Sequence, residues 1–379
     1  MVRDGSHTRA RAGARGWLPG RGHRFGTFRG RCDEYRSPSQ GRVTGVWKEF
    51  FMNVSQLSKV ELHLHLEGAA PAAFIRQLAH EKNVDISGIF TPDGGYDFEN
   101  FIEFLAVYEA ATQVLQSPED FQRLTTAVLA ECMANDVVYV ESFLSPEFCG
   151  GGDLSAWREY LHAIREAAAQ AERQHGIIMR GIPTCIRHLG PERAKATARC
   201  AAETAGDWIV GFGMGGDEMQ GRQGDFAYSF DMAHEAGLHL TSHAGEWGGA
   251  ASVWQAIEDL RVVRIGHGVQ AIEDPALVTE LVAREIVLEV CPGSNVALGV
   301  AKTLATHPIR ALREAGVKVT VSTDDPPFFS TTMRQEYQSL AEAYDWTADD
   351  FRDLNATAAA AAFCDEATRG RVLEKLELP

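Results

Sequence analysis

From residue 59 onward, short β-branched apolar runs recur along the chain. They are separated by longer stretches in which apolar residues return every three or four positions. The runs are KVELHLHLE (59–67), VVYVESFLS (137–145), GIIMRGIPTCI (176–186), WIVGFGMGG (208–216), LHLTSHAGE (238–246), VVRIGHG (262–268), IVLEVCPGS (286–294) and KVTVSTDD (318–325). They predict eight strands, and intervening segments such as AWREYLHAIREAAAQAERQ predict helices. Strand–helix alternation implies parallel strands. Eight units in roughly 325 residues predict a closed (β/α)8 barrel of the TIM type. A long helical insertion, about 71–135, follows the first strand. Almost every run begins apolar and ends polar, and the carboxyl end of the strands is the functional face of such a barrel. The same alternation allows a doubly wound open sheet, but no GxGxxG turn follows the first strand, which weighs against that fold.

The pattern is absent from residues 1–52. That stretch is rich in Gly and Arg and has no apolar period; residues 1–51 hold ten Arg and one Lys against four acids. It cannot bury enough surface to offset its ordering entropy, and it lacks the apolar core of a secretory signal. It reads as a disordered basic extension or a start assigned too early, with Met52 a natural first residue. Residues 53–379 then form a single barrel domain. The whole chain carries a net charge of −16, so the body is strongly acidic. That argues against a nucleic-acid partner, whose phosphates need Lys and Arg. No run of about 18 apolar residues exists to span a membrane. Seven cysteines without a CxxC pair suit a reducing, cytoplasmic compartment.

Candidate chemistry sits at the polar run ends. His63 and His65 are two apart in a strand and so share a face. One inward histidine is commonly a satisfied core residue, but two on one inner face need partners or a metal. His243 in SHAGE and Asp324 in STDDP supply two more donors at other strand ends. Three imidazoles and a carboxylate suit a divalent transition metal such as zinc and leave room for water. Such an ion brings the pKa of its water to about 7. Glu246 follows His243 by three residues; in a closed apolar pocket it would stay protonated and act as an acid. His267, in IGHG, is placed to orient or deprotonate the activated water. Asp325 offers a substrate hydrogen bond, or else a helix N-cap before Pro326. The glycines of GFGMGGDE allow a planar substrate to approach the backbone, or simply pack against a neighbouring strand.

Together, HxH on the first strand, HAGE on the fifth, GHG on the sixth and TDDP on the eighth resemble the adenosine/adenine deaminases of the amidohydrolase superfamily, over nearly all of 58–379. The resemblance implies a (β/α)8 barrel, one catalytic divalent metal, usually zinc, and hydrolysis of the 6-amino group of a small purine with release of ammonia. It assigns His63, His65, His243 and Asp324 to the metal. Glu246 would protonate the purine ring nitrogen, His267 would activate the water and stabilise developing charge, Asp325 would bond the five-membered ring, and the Gly216 backbone would contact the purine. Adenosine, with deoxyadenosine, is the leading expectation for the substrate. Two departures leave adenine or a modified adenine nucleoside as the alternative. Glu67 stands where adenosine deaminases of the best-known type have Asp near the ribose, and the seventh run ends CPGSN rather than in paired serines.

Other classes fit less well. The two-metal amidohydrolases need a lysine at the end of the fourth strand, and 208–216 has none. The cytidine-type zinc deaminases need PCxxC. A non-enzymatic protein on the same barrel would be expected to have lost a metal or acid position, and all are filled.

Overall fold

The computed structural model describes residue 54 and residues 56–377. The extension expected over residues 1–52 lies outside the described residues. Eight parallel strands run in sequence order: β1 (Lys59–His65), β2 (Val137–Leu144), β3 (Ile178–Ile186), β4 (Gly211–Gly215), β5 (His239–Ala244), β6 (Arg264–His267), β7 (Val287–Val290) and β8 (Lys318–Val321). The ring closes between β1 and the segment after β8. The His65 N–H donates to the Asp324 carbonyl and the Asp324 N–H to the His63 carbonyl, each at 3.1 Å. The fold is therefore the expected (β/α)8 barrel.

Helices separate the strands because the intervening sequence buries one stripe. In the helix Leu154–His175, Trp157, Tyr160, Leu161, Ile164, Ala167 and Ala168 are buried, the three-and-four spacing of a single face. The Asp153 carboxylate accepts from the Ala156 N–H at 2.9 Å at its start, and Gly176, at φ 79°, ends it in the left-handed region. Each fully buried Leu, Ile or Val on such faces stabilises the fold by about 1.5–3 kcal/mol.

The insertion after β1 consists of helices Ala72–Lys82, Phe101–Thr112 and Pro118–Ala134. It packs over the carboxyl end of the barrel through aromatic contacts. Tyr96 stacks on Phe328 at 3.8 Å between centroids, Phe104 meets Phe329 at 5.2 Å, and Phe101 meets Trp247 at 5.4 Å. Apolar rings are thus placed beside the polar strand ends.

The strands are shorter than the runs that predict them. β7 stops at Val290 because Pro292 opens a short helix, Pro292–Ala297, with proline in its first turn. β8 stops at Val321, so Asp324 lies beyond the eighth strand rather than closing it. Asp325 caps no helix. Its carbonyl accepts from the Phe328 N–H in a turn, and the next helix begins at Met333.

Candidate active site

Four of the predicted donors converge. One ligand atom each from His63, His65, His243 and Asp324 fall within 4.8 Å of one another. His63 and His65 project from β1 and His243 from β5. Asp324 arrives from the β8 exit, at φ 67°, a strained conformation for a residue with a side chain. His267, at the end of β6, is also left-handed, at φ 60°. Its Nε2 lies 3.7 Å from Glu246 Oε2 and 3.9 Å from Asp324 Oδ2.

The donor set fits a cation. His65 Nε2 and His243 Nε2 face each other at 3.1 Å, and His63 Nε2 and His65 Nε2 each lie 3.3 Å from Asp324 Oδ1. His63 Nε2 is buried without a hydrogen-bond partner. Its other nitrogen, Nδ1, lies 2.9 Å from Glu289 Oε2. A carboxylate at Nδ1 holds the proton there and turns the Nε2 lone pair toward the centre, the usual support for a ligating imidazole. Burial disfavours charge on His63, yet the Asp324 and Glu289 carboxylates raise it to about 9, so the cluster attracts positive charge.

Space for these rings comes from glycine. A methyl on Gly266 would sit 2.8 Å from His63 Cε1 and 3.2 Å from His243 Nδ1. Any larger residue at position 266 would press on two candidate ligands.

The carboxyl groups around the cluster divide by environment. Burial works against charge on Asp324, but the His63 and His65 imidazoles hold it well below the usual carboxylate range; Ser294 Oγ also donates to its Oδ2 at 2.7 Å. Burial, with Asp324 and Glu218 nearby, pushes Glu246 well above that range, the direction that favours its protonated form. Burial, with the neighbouring Asp324, does the same for Asp325, whose Oδ1 is buried and unpartnered. Glu67 is buried and raised to about 7 by desolvation. Its Oε1 accepts from the Ser145 N–H at 3.3 Å, and its Oε2 has no partner. Burial pushes His267 down to about 3, leaving a neutral imidazole. Gly216 leaves β4 at φ 95°, next to Gly215, where an added methyl would lie 3.3 Å from His243 Cε1 and 3.4 Å from His65 Cε1.

Several supporting residues escape a reading of the sequence. Glu289 on β7 also accepts from Arg264 Nε at 2.6 Å and Thr241 Oγ1 at 3.1 Å, and Arg264 Nη1 donates to Glu141 Oε2 at 2.6 Å. Their signal was a charge in the middle of an otherwise apolar run, at VLEV, VVRIG and YVES. Glu218 accepts from three consecutive amides, Gly245, Glu246 and Trp247, at 2.6, 3.0 and 2.7 Å. It thereby fixes the turn that carries Glu246.

A parallel eight-stranded barrel with three imidazoles, a carboxylate and a second buried carboxyl group at its carboxyl rim defines a hydrolase of the amidohydrolase type. The chain belongs to the adenosine deaminase family, whose model, described as "Adenosine deaminase", matches residues 58–378. Among curated relatives, adenine deaminase from Rhizobium rhizogenes is 45% identical over 322 residues, covering 85% of this chain and 99% of the relative. Adenine deaminase from Agrobacterium fabrum is also 45% identical over 322 residues, covering 85% and 98%. Among solved structures, adenine deaminase from Arthrobacter aurescens superposes with a TM-score of 0.77 at 28% identity, covering 85% of this chain and 98% of that one.

Proposed function

We propose that this deaminase acts on free adenine, converting it to hypoxanthine and ammonia with one zinc ion. The reading is carried by the near full-length similarity to adenine deaminases, at 45% identity over 99% of one relative. It takes the adenine alternative over the adenosine that the motifs alone put first.

Glu67 supplies a physical reason. Its carboxyl group is buried and one oxygen has no partner. A free base carries a ring N–H where a nucleoside carries its sugar. A buried group built to bond an N–H strongly rejects the analogue that lacks it, because the group is then left unpaired.

A divalent ion held by His63, His65, His243 and Asp324 would supply an activated water at neutral pH. Protonated Glu246 gives its proton to the ring nitrogen beside the amino-bearing carbon, which makes that carbon more electrophilic. His267 bonds the attacking oxygen. Asp325 bonds the five-membered ring, and the Gly216 backbone lies against the purine. The aromatic contacts over the strand ends exclude water, which strengthens each of these polar interactions.

The test is a kcat/KM panel with adenine, adenosine, 2′-deoxyadenosine and an N6-substituted adenine, following release of ammonia or amine. Adenine is expected to lead. A larger kcat/KM for any nucleoside overturns the adenine reading, and turnover of none of the four overturns the purine.

A further inference from the structure

We infer that His307 and Asn295 are positioning residues that fix the tautomer of His267, so that its Nε2–H faces the reaction centre and its Nδ1 carries the lone pair. The assignment starts from a backbone amide, whose donor role is unambiguous. The Ile309 N–H donates to His307 Nδ1 at 3.1 Å, so that nitrogen is unprotonated. His307 is buried, and burial lowers it to about 4, so it is neutral. Its one proton is therefore on Nε2, which lies 3.1 Å from Asn295 Oδ1. That contact sets the Asn295 amide, because the reversed amide would point N–H at N–H. Asn295 Nδ2 then lies 3.2 Å from His267 Nδ1 and 3.5 Å from Glu246 Oε1. An amide nitrogen only donates, so His267 Nδ1 accepts and the His267 proton is on Nε2. That N–H points toward Glu246 Oε2 and Asp324 Oδ2, at 3.7 and 3.9 Å.

The relay changes what His267 does. In the resting enzyme it presents a donor, and it bonds the attacking oxygen as negative charge develops there. It is not a ready base for that water. Asn295, His307 and His267 are all buried, so no solvent scrambles the arrangement. The tautomer is independent of the deaminase reading; only its effect on turnover rests on that reading.

The experiment is nitrogen NMR on zinc-loaded protein with ring-labelled histidine, with His267 signals assigned by their loss in His267→Gln. Wild type is expected to show a protonated-type Nε2 and an unprotonated-type Nδ1 for His267. Asn295→Asp replaces the donor with an acceptor of the same shape, and is expected to swap the pattern to Nδ1–H. It should also lower kcat by about 100-fold, the loss typical of removing one preorganised donor, with metal content unchanged. Should Asn295→Asp not fold, His307→Leu is expected to release the amide and give a mixed pattern. Nδ1–H in wild type, or an unmoved pattern in the variant that folds, overturns the relay. A swapped pattern with unchanged turnover keeps the relay and removes His267 from the proposed chemistry.

Discussion

Gly68 tests the Asp325 contact without touching a candidate ligand or the acid. It follows Glu67 at the exit of β1. A methyl group added there would lie 1.6 Å from Asp325 Oδ1 and 2.8 Å from Tyr108 Cε2. Real Cβ contacts essentially never fall below 3.0 Å, so Asp325 Oδ1 must retreat by about 1.4 Å. The Tyr108 ring can yield a few tenths of an ångström, but the Asp325 backbone is tied through the Phe328 amide and the adjoining barrel closure. The carboxyl therefore has to rotate away from the position it holds. A displacement above 1 Å at a positioning group costs on the order of 100-fold in rate. Leaving the buried partner of the Asp325 carboxyl unsatisfied, about 1–3 kcal/mol, gives a range from about 5-fold to about 150-fold. Gly68→Ala is thus expected to lower kcat/KM for adenine by at least ~5-fold and most plainly through KM, with one metal per chain retained. The assay is steady-state ammonia release beside elemental analysis and a thermal melt. A folded, metal-loaded Gly68→Ala protein with wild-type kcat/KM would refute both the steric reasoning and the substrate role of Asp325.

Glu246→Gln is expected to fold and keep its metal while losing at least ~100-fold in kcat; a near-normal rate removes Glu246 from the proposed chemistry. Glu218→Ala strips three amides of their acceptor and frees the turn that carries Glu246, so kcat should drop by at least ~10-fold with little change in KM. The opposite split would make Glu218 a substrate-binding group. Purified protein is expected to hold about one divalent metal per chain, and finding two, or none in an active sample, refutes a single-metal site. Glu336 gives a pH test away from the cluster. It is buried, it accepts from Thr331 Oγ1 at 2.6 Å and the Gly293 N–H at 3.1 Å, and burial raises it from 4.5 to about 7. The folded state holds this proton longer than the unfolded state. Its contribution, at most about 3 kcal/mol, is full below pH 4.5 and lost as pH rises through about 7. Paired urea titrations at pH 5 and pH 8 should show a smaller loss of stability for Glu336→Gln than for wild type; parallel losses refute the assignment.

The barrel was legible because each strand had to be apolar where it is buried and polar where it leaves the sheet, and that asymmetry survives in a one-dimensional string. The four converging donors were legible for the same reason. His63 and His65 sit two apart on one strand, His243 stands at the end of β5, and Asp324 follows shortly after β8. The run boundaries were less legible, since the segments after β7 and β8 keep an apolar and polar mixture while already turning. Asn295, His307 and Glu218 could not be found by spacing. Asn295 and Glu218 meet groups of other βα units, 28 and 27 or more residues away, and His307 meets Asn295 across a 12-residue loop, and nothing in a local pattern fixes which side chains meet. Glu289, Arg264 and Glu141 were visible in principle as charges inside buried runs, where an unpaired charge would be severely destabilising.

Those same residues explain how the strained ring of donors holds its shape. Left-handed conformations at His267 and Asp324 cost about 1–3 kcal/mol each. Such strain persists only where the surroundings leave no alternative. Asp324 is held by two backbone bonds to β1, at 3.1 Å each, and by Ser294 on its carboxylate. His267 is held by Asn295 from one side, and the Gly268 N–H that follows it donates to the Ala244 carbonyl of β5 at 3.0 Å. Beneath them the chain His63–Glu289–Arg264–Glu141 is fully buried. A buried ionic chain of this kind adds little net stability, but removal of Arg264 leaves Glu141 without a cation, and removal of Glu289 takes a carboxylate from both His63 and Arg264, so the members hold one another in place. Orientation, more than stability, is what this arrangement gains: the His63 lone pair and the Asp324 carboxylate are aimed before any substrate arrives. That preorganisation is where electrostatic catalysis in a water-poor site draws most of its strength.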